Sequence, residues 1–172
     1  TEGRPIRDLA LSADDELRIR GFRFLTEKPL LMLLNVGESD LSRVDTLAGA
    51  LQNGIHHART SVVPLSARIE MEIGQLDEEE AQVFRDDLGL EGSSLERVIR
   101  ASYSLLGLLS FFTAGPDETR AWTVHQGASA VDAAGAIHSD LARGFIRAEV
   151  IAYADFVVCK GEHGAKEHGK MR

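Results

Sequence analysis

The sequence is short of the residues that staple, leash or span. It holds one cysteine, Cys159, in 172 residues, which excludes an internal disulfide. No apolar run approaches the roughly 18 residues that cross a bilayer, and Thr1-Glu2-Gly3-Arg4 leads into a charged segment rather than a secretory leader. Positive charge is in deficit: 19 Lys and Arg against 27 Asp and Glu leave a formal net charge of −8. That balance argues against general attraction to nucleic acid or anionic membrane, although a local basic face survives inside an acidic total. The expectation is a cytoplasmic, soluble protein with no membrane partner and no DNA partner. Gly-x-Ser-x-Gly is missing, as is a histidine partner for Cys159, so no nucleophilic hydrolase is indicated. The chain begins abruptly and without Met, and is expected to be a fragment of a longer protein. With 44% apolar residues it has material for one large domain or two small ones.

What is present centres on Pro29-Leu30-Leu31-Met32-Leu33-Leu34-Asn35-Val36-Gly37-Glu38. A short apolar run closed by a turn predicts a strand buried on both faces of a parallel sheet, and ligands of such sheets bind beyond the strand's carboxyl end. Asn35 and Glu38 stand at that end. The Asn35 amide offers an acceptor and two donors, enough to read both edges of a purine, or simply to close a strand-to-helix turn. A helical pattern follows through Leu41, Val44, Leu47 and Leu51. A second apolar run, Ser61-Val62-Val63-Pro64-Leu65, then ends in Ser66-Ala67. Strand, helix, strand is a right-handed crossover that sets the two strand ends side by side.

Around this unit the pattern predicts further elements. Ser12 with Asp15 three places on caps a helix of roughly 12–26. His56-His57 sit too close together to share a metal and read as solvated helix-end residues. Residues 68–73 fit strand or helix. Asp77-Glu78-Glu79-Glu80 opens a helix, where acids suit the dipole, and Ser93 or Ser94 caps another that runs to a boundary near Gly107. Beyond it, apolar stretches on either side of Gly115-Pro116 predict a hairpin, followed by a helix over about 128–142 and a third strand at 145–150. A small sheet crossed by one helix is a ubiquitin-like arrangement. Trp122, flanked by Arg120 and with Arg147 on the neighbouring strand, makes either an exposed cationic and aromatic strip able to stack on RNA or a buried ring under the helix. His138 with Asp140 reads as a histidine packed on the small sheet rather than an acid-base pair. Gly164-Ala165-Lys166-Glu167-His168-Gly169-Lys170-Met171 fits the phosphate-loop formula except for its last residue, which lacks the hydroxyl that magnesium needs.

Asn35-Val36-Gly37-Glu38 and Ser66-Ala67 resemble the fourth and fifth nucleotide-binding motifs of the GTPase superfamily, and this variant looks like the Obg-like ATPases of the YchF type. Phe112-Thr113-Ala114-Gly115, Arg120-Ala121-Trp122-Thr123, Gly144-Phe145-Ile146-Arg147-Ala148-Glu149-Val150 and Gly164-Ala165-Lys166-Glu167 resemble that family's TGS domain. The resemblance implies an α/β fold: part of a P-loop GTPase-like parallel sheet, then a β-grasp TGS domain left incomplete at its end. It divides the chain into the return of a helical insertion (1–28), the second half of a nucleotide domain (29–107) and the TGS domain (108–172). It implies nucleotide contact by Asn35, Val36, Glu38, Ser66 and Ala67, with ATP favoured over GTP. Ribosome or RNA contact is implied through Arg120, Trp122 and Arg147. Magnesium and hydrolysis would belong to the full-length parent only, because the phosphate-binding loop is missing here and the chain alone should be inactive. Gly37, where relatives carry an acidic or small polar residue, implies a looser base contact.

Overall fold

The computed structural model describes residues 3–90, 92–115 and 118–172. The chain divides into two compact units, Thr1–Leu109 and Ser110–Arg172.

In the first unit, Ser12 Oγ accepts the Asp15 N–H at 3.2 Å and opens helix α1, Ala13–Ile19. The helix stops well short of the expected 26. Gly21 costs about 1 kcal/mol of helix propensity, and the apolar residues beyond it stay largely exposed, Phe22 at 72% and Leu25 at 80%, with Phe22 stacked on Phe24, ring centroids 5.4 Å apart. A 3-10 turn over Arg20–Phe22 ends instead in a left-handed residue, Arg23 (φ 52°). Strand β1, Leu30–Asn35, then pairs in parallel with β2, Thr60–Leu65, in a register that sets Leu30 beside Thr60 and Asn35 beside Leu65. The crossover between them is a 3-10 segment, Glu38–Arg43, and helix α2, Val44–Gly54. Gln52 of α2 acts like a short extra strand on the edge of β2: its Oε1 accepts from Val62 N at 2.9 Å, and its Nε2 donates to Thr60 O at 3.4 Å. The expectation that β1 is buried on both faces fails at Leu33, which is 52% exposed. This sheet has only two strands, and one helical layer cannot cover both faces.

Residues 68–73, ambiguous by period, are helical: α3 runs Ala67–Ile73 because Ile69 and Ile73, four apart, share one buried stripe. Asp77 Oδ1 accepts from Glu80 N at 2.9 Å and starts α4, Glu78–Asp87. Ile69, Ile73 and Ala81 form the core between α3 and α4, packed against by Leu41, Phe84, Leu88 and Leu90. Each buried isoleucine contributes about 1.5–3 kcal/mol. Helix α5, Ser94–Leu105, is capped by Ser93 Oγ on Leu95 N, and Ser94 N donates to Glu70 Oε1 of α3 at 3.0 Å.

Strand β3, Leu108–Ala114, begins two residues before the second unit and pairs with β4, Thr119–His125. The link from Gly115 to Glu118 is too short for a parallel crossover, so the pair is a hairpin; Pro116 of the expected Gly-Pro turn lies outside the described residues. The helix expected over 128–142 is broken. Ser129 and Asp132 form a reciprocal capping box on α6, Ala130–Ile137, and His138 then turns extended (φ −162°, ψ 141°) before α7, Ser139–Arg143. The break is stabilised by the histidine ring, whose Nδ1 accepts from Asp140 N at 3.2 Å. His138 is therefore an exposed cap and not a residue packed on the sheet. The third strand expected at 145–150 is also absent among the described residues. The sheet stays two-stranded, and the segment finds a backbone partner only at its end, where Val150 and Arg172 exchange bonds of 2.9 and 3.0 Å beside the Ile151–Met171 bridge. Alternation yields extended chain, but a ladder needs a free edge in reach. Helices α8, Tyr153–Val158, and α9, Glu162–Glu167, close the unit around Ala165, which is 0% exposed.

Gly164 of α9 is fixed by that closure: a Cβ there would lie 2.0 Å from the Cys159 carbonyl oxygen. Gly49, in the middle of α2, meets nothing within 4 Å. The same substitution should therefore change sign between the two. Gly164→Ala is expected to destabilise by about 1–3 kcal/mol or more, and Gly49→Ala to stabilise by about 0.5–1 kcal/mol, both read by urea unfolding.

Candidate nucleotide site at the strand ends

Parallel pairing brings the carboxyl ends of β1 and β2 together, and one side chain ties them. Asn35 Oδ1 accepts the Ala67 N–H at 3.0 Å, while Val36 N donates to Leu65 O at 2.9 Å. The two short motifs are thus one structure. The bond also narrows what Asn35 can offer. Its oxygen accepts from Ala67, and its NH2 group makes no hydrogen bond among the described residues. A lone donor suits purine N7, an acceptor in adenine and guanine alike. The turn-closing role that the sequence allowed for Asn35 is the one its oxygen takes here.

Around it, Val36 is buried and supports the turn, and Glu38 is exposed at the start of the 3-10 segment with no ion pair among the described residues. Gly37 has ordinary negative φ, and a Cβ there would meet only Ser39 Oγ at 3.9 Å, an ordinary contact, so no steric demand fixes a glycine there. Ser66 is the unusual member. It is 5% exposed, and its Oγ has no hydrogen-bond partner. It faces a small cavity of about 20 Å³ shared with Glu70, Ser94 and Arg97, just large enough for one water. Burying a hydroxyl without a partner costs on the order of 1–3 kcal/mol; water or ligand is the natural relief. Nothing in the residue pattern pointed to that burial.

The remaining sequence candidates fall elsewhere. His57 is not free: its Nδ1 lies 2.6 Å from Asp8 Oδ2, and Ala58 N donates to Asp8 Oδ1 at 2.8 Å, tying the chain's start to the turn before β2. The phosphate-loop lookalike is the end of a helix. Gly169 takes the left-handed position after α9 (φ 63°), and Lys170 pairs with Asp155 at 3.3 Å. Among the described residues no cluster of three or more His, Cys, Asp or Glu is placed to hold a metal ion. In the second unit, Arg120 lies over the Trp122 ring, 4.5 Å from its centroid. Trp122 is half-buried and donates through Nε1 to Thr113 Oγ1 at 2.9 Å. Arg147 is exposed on the unpaired stretch, and no ladder joins it to the strand carrying Arg120.

A parallel strand pair with a helical crossover and an Asn bridging its two terminal turns defines an α/β domain of the GTPase-like kind. The solved structure of the Schizosaccharomyces pombe YchF GTPase matches it with a TM-score of 0.78 and 31% identity, over 97% of this chain and 45% of that one. The family profile YchF-GTPase_C, described as a protein of unknown function (DUF933), matches residues 108–172. Proteins named ribosome-binding ATPase YchF are 51% identical in Haemophilus ducreyi, 47% in Escherichia coli O157:H7 and 41% in Bacillus subtilis. Each alignment takes in 97 or 98% of this chain and 46 or 47% of the relative. Nearly the whole chain is thus similar to the C-terminal portion of YchF proteins, and it spans about half the length of these relatives.

The Asp8 contact makes the first unit sensitive to acid. The hydrogen bond from His57, then that from Ala58, holds the Asp8 carboxyl below its ordinary 3.8. A lowered pKa means that the bonded carboxylate stabilises the fold above the unfolded value and loses this contribution as pH falls through the folded one. Unfolding midpoints should therefore drop on acidification below about pH 4. In Asp8→Asn that part of the acid limb should flatten, as urea titrations at stepped pH would register.

Proposed function

We propose that this chain supplies the base-recognition half of a nucleotide domain together with a ribosome- or RNA-binding TGS module, as part of a YchF-type ATPase. The bond from Ala67 N to Asn35 Oδ1 carries the first half of the reading, because it aims the remaining Asn35 donor outward from the paired strand ends. Val36, Glu38, Ser66 and Ala67 frame that donor. The names of the relatives support a nucleotide and a ribosome as partners, and the half-bare faces of β1 suit a strand pair completed by more of the domain. In this reading the nucleotide is ATP, with GTP second, the chain provides recognition without hydrolysis, and magnesium is held by other parts of the complete protein. The place of work is the cytoplasm, where ribosomes are; no helix of the described residues is long and apolar enough to cross a membrane.

ATP is expected to bind at least as well as GTP to the complete protein. The contact left to Asn35 suits N7 of either purine, and Glu38 stands where guanine readers carry Asp to take the N1 and N2 protons. Asn35→Ala should cost about 1–3 kcal/mol of nucleotide affinity. Asn35→Asp should cost as much while keeping the acceptor for Ala67, and with it the stability. Competition binding in which GTP wins by tenfold, about 1.4 kcal/mol, would sink the preference.

The ribosome-binding half rests on the Arg120–Trp122 stack, a cationic and aromatic pair on an exposed strand of an acidic chain. Arg147 belongs to the reading as an exposed cation on the extended segment of the same unit, not paired to that strand. Reversing Arg120 and Arg147 to Glu is expected to abolish co-sedimentation with ribosomes at low salt. Thermal stability should barely change, since exposed charges contribute about 0–1 kcal/mol. Undiminished pelleting of the double variant would remove these residues from the contact.

A further inference from the structure

At the opposite end of the parallel strands lies a pocket that the base-site reading does not use. It measures about 200 Å³ and is lined by Arg20, Arg23, Glu27, Lys28, Pro29 and Arg59. Pro29 directly precedes β1 and Arg59 directly precedes β2, and Leu30 N donates to Arg59 O at 2.9 Å, so the wall is part of the sheet's start. The six-residue strand between this end and Asn35 is about 20 Å long, which separates the two sites. The rim at 26–28 is fastened by Arg7, whose guanidinium donates to Thr26 O and Lys28 O at 3.3 Å.

The charge of this pocket runs against the rest of the chain. Five arginines elsewhere lie beside carboxylates on their own helix or turn: Arg18 with Asp14, Arg43 with Asp40, Arg68 with Glu72, Arg100 with Glu96 and Arg143 with Asp140. Arg20, Arg23, Lys28 and Arg59 make no side-chain ion pair or hydrogen bond among the described residues, and a single carboxylate, Glu27, stands with them. The four cations are solvent-exposed, so water and salt temper their mutual repulsion, yet together with the single carboxylate they leave a local excess of positive charge. The backbone adds a cost. Arg23 and Arg59 are two of the three non-glycine residues with positive φ among the described residues, at 52° and 50°. Left-handed arginines are strained where glycine would be at ease. Both features belong to residues that line one cavity.

We propose that this pocket binds clustered phosphate oxyanions. Guanidinium groups match phosphate oxygens with paired N–H donors, and Lys28 adds a point charge. An anion with several charged oxygens satisfies donors that make no ion pair among the described residues. The oxyanions come either from a free oligophosphate or from the backbone of single-stranded RNA, and both present the same group to the same cations. The site does not depend on the base reading at Asn35.

The left-handed backbone supplies a clean test. Arg23→Gly with Arg59→Gly removes two cations and also relieves positive φ, so the melting temperature should hold or rise while anion affinity falls. Titration calorimetry of the 172-residue chain with tripolyphosphate is expected to show at least a tenfold loss in this variant, and again in Arg20→Glu with Lys28→Glu. With a labelled oligouridylate, the slope of log affinity against log salt should shrink by about 1.4, roughly 0.7 for each of two lost contacts. Competition between the probes separates the sources: displacement of RNA by tripolyphosphate supports one shared oxyanion site, and RNA binding that resists it yet falls in both variants supports spaced phosphodiesters. Unchanged affinity for both probes in both variants overturns the proposal. So does RNA binding lost only in Arg120→Glu with Arg147→Glu, or a wild-type chain that binds neither probe at low salt.

Discussion

Everything at the carboxyl edge of the first unit depends on two strands being parallel. Parallel strands cannot be joined by a tight turn, so the chain must travel away and return, here through a 3-10 segment and α2, before β2 begins. The return brings Ser66-Ala67 beside Asn35, more than thirty residues away in sequence, and a single amide oxygen then locks them. Had the register slipped by one residue, Asn35 would face the other side of the sheet and the bond would be lost. Gln52 guards against such a slip by bonding the β2 backbone at Thr60 and Val62, which pins strand to helix as well as strand to strand.

Local chemistry was legible from residue order, and distant chemistry was not. The caps at Ser12, Asp77 and Ser93 could be placed because a side chain that bonds an amide two or three residues on needs no tertiary partner. The pairing of the two motif strands followed from their apolar runs and the amphipathic stretch between them. Failures came where a pattern was right but its partner was wanting. Residues 145–150 alternate as a strand should and yet have almost no edge to pair with, and residues 20–25 continue an apolar period with no surface to bury it. The His138 break shows the opposite case, a ring that takes up a capping role and so divides a helix that hydrophobic spacing alone would carry through. The Asp8–His57 contact, between residues far apart in sequence, has no local signature at all.

Net charge described the chain poorly for a related reason. A total of −8 is a sum over places, and attraction is felt at one place at a time. Many arginines are offset within their own helical turn, where an acid three or four residues away is in reach. The cations at the start of the strands lie on turns and a 3-10 segment, with one carboxylate, Glu27, among the residues that line their pocket. Secondary structure thus decides which charges cancel, and an acidic protein keeps a basic pocket where its helices stop.

The segment from Gly164 to Met171 carries the same lesson into chemistry. A phosphate loop works because its glycines let successive backbone N–H groups turn toward the anion at the point where a helix begins. Here the spacing of glycines and lysine is nearly the same, but the segment runs through α9 and out of its end. A helix end presents carbonyl oxygens and negative potential, the wrong sign for phosphate. Gly169 serves the left-handed exit that such ends favour, Gly164 admits the Cys159 carbonyl, and Lys170 answers Asp155. Each residue of the formula has a structural task, and together they face away from the chemistry the formula names. A motif of this kind therefore acquires meaning only from the direction of the helix it touches.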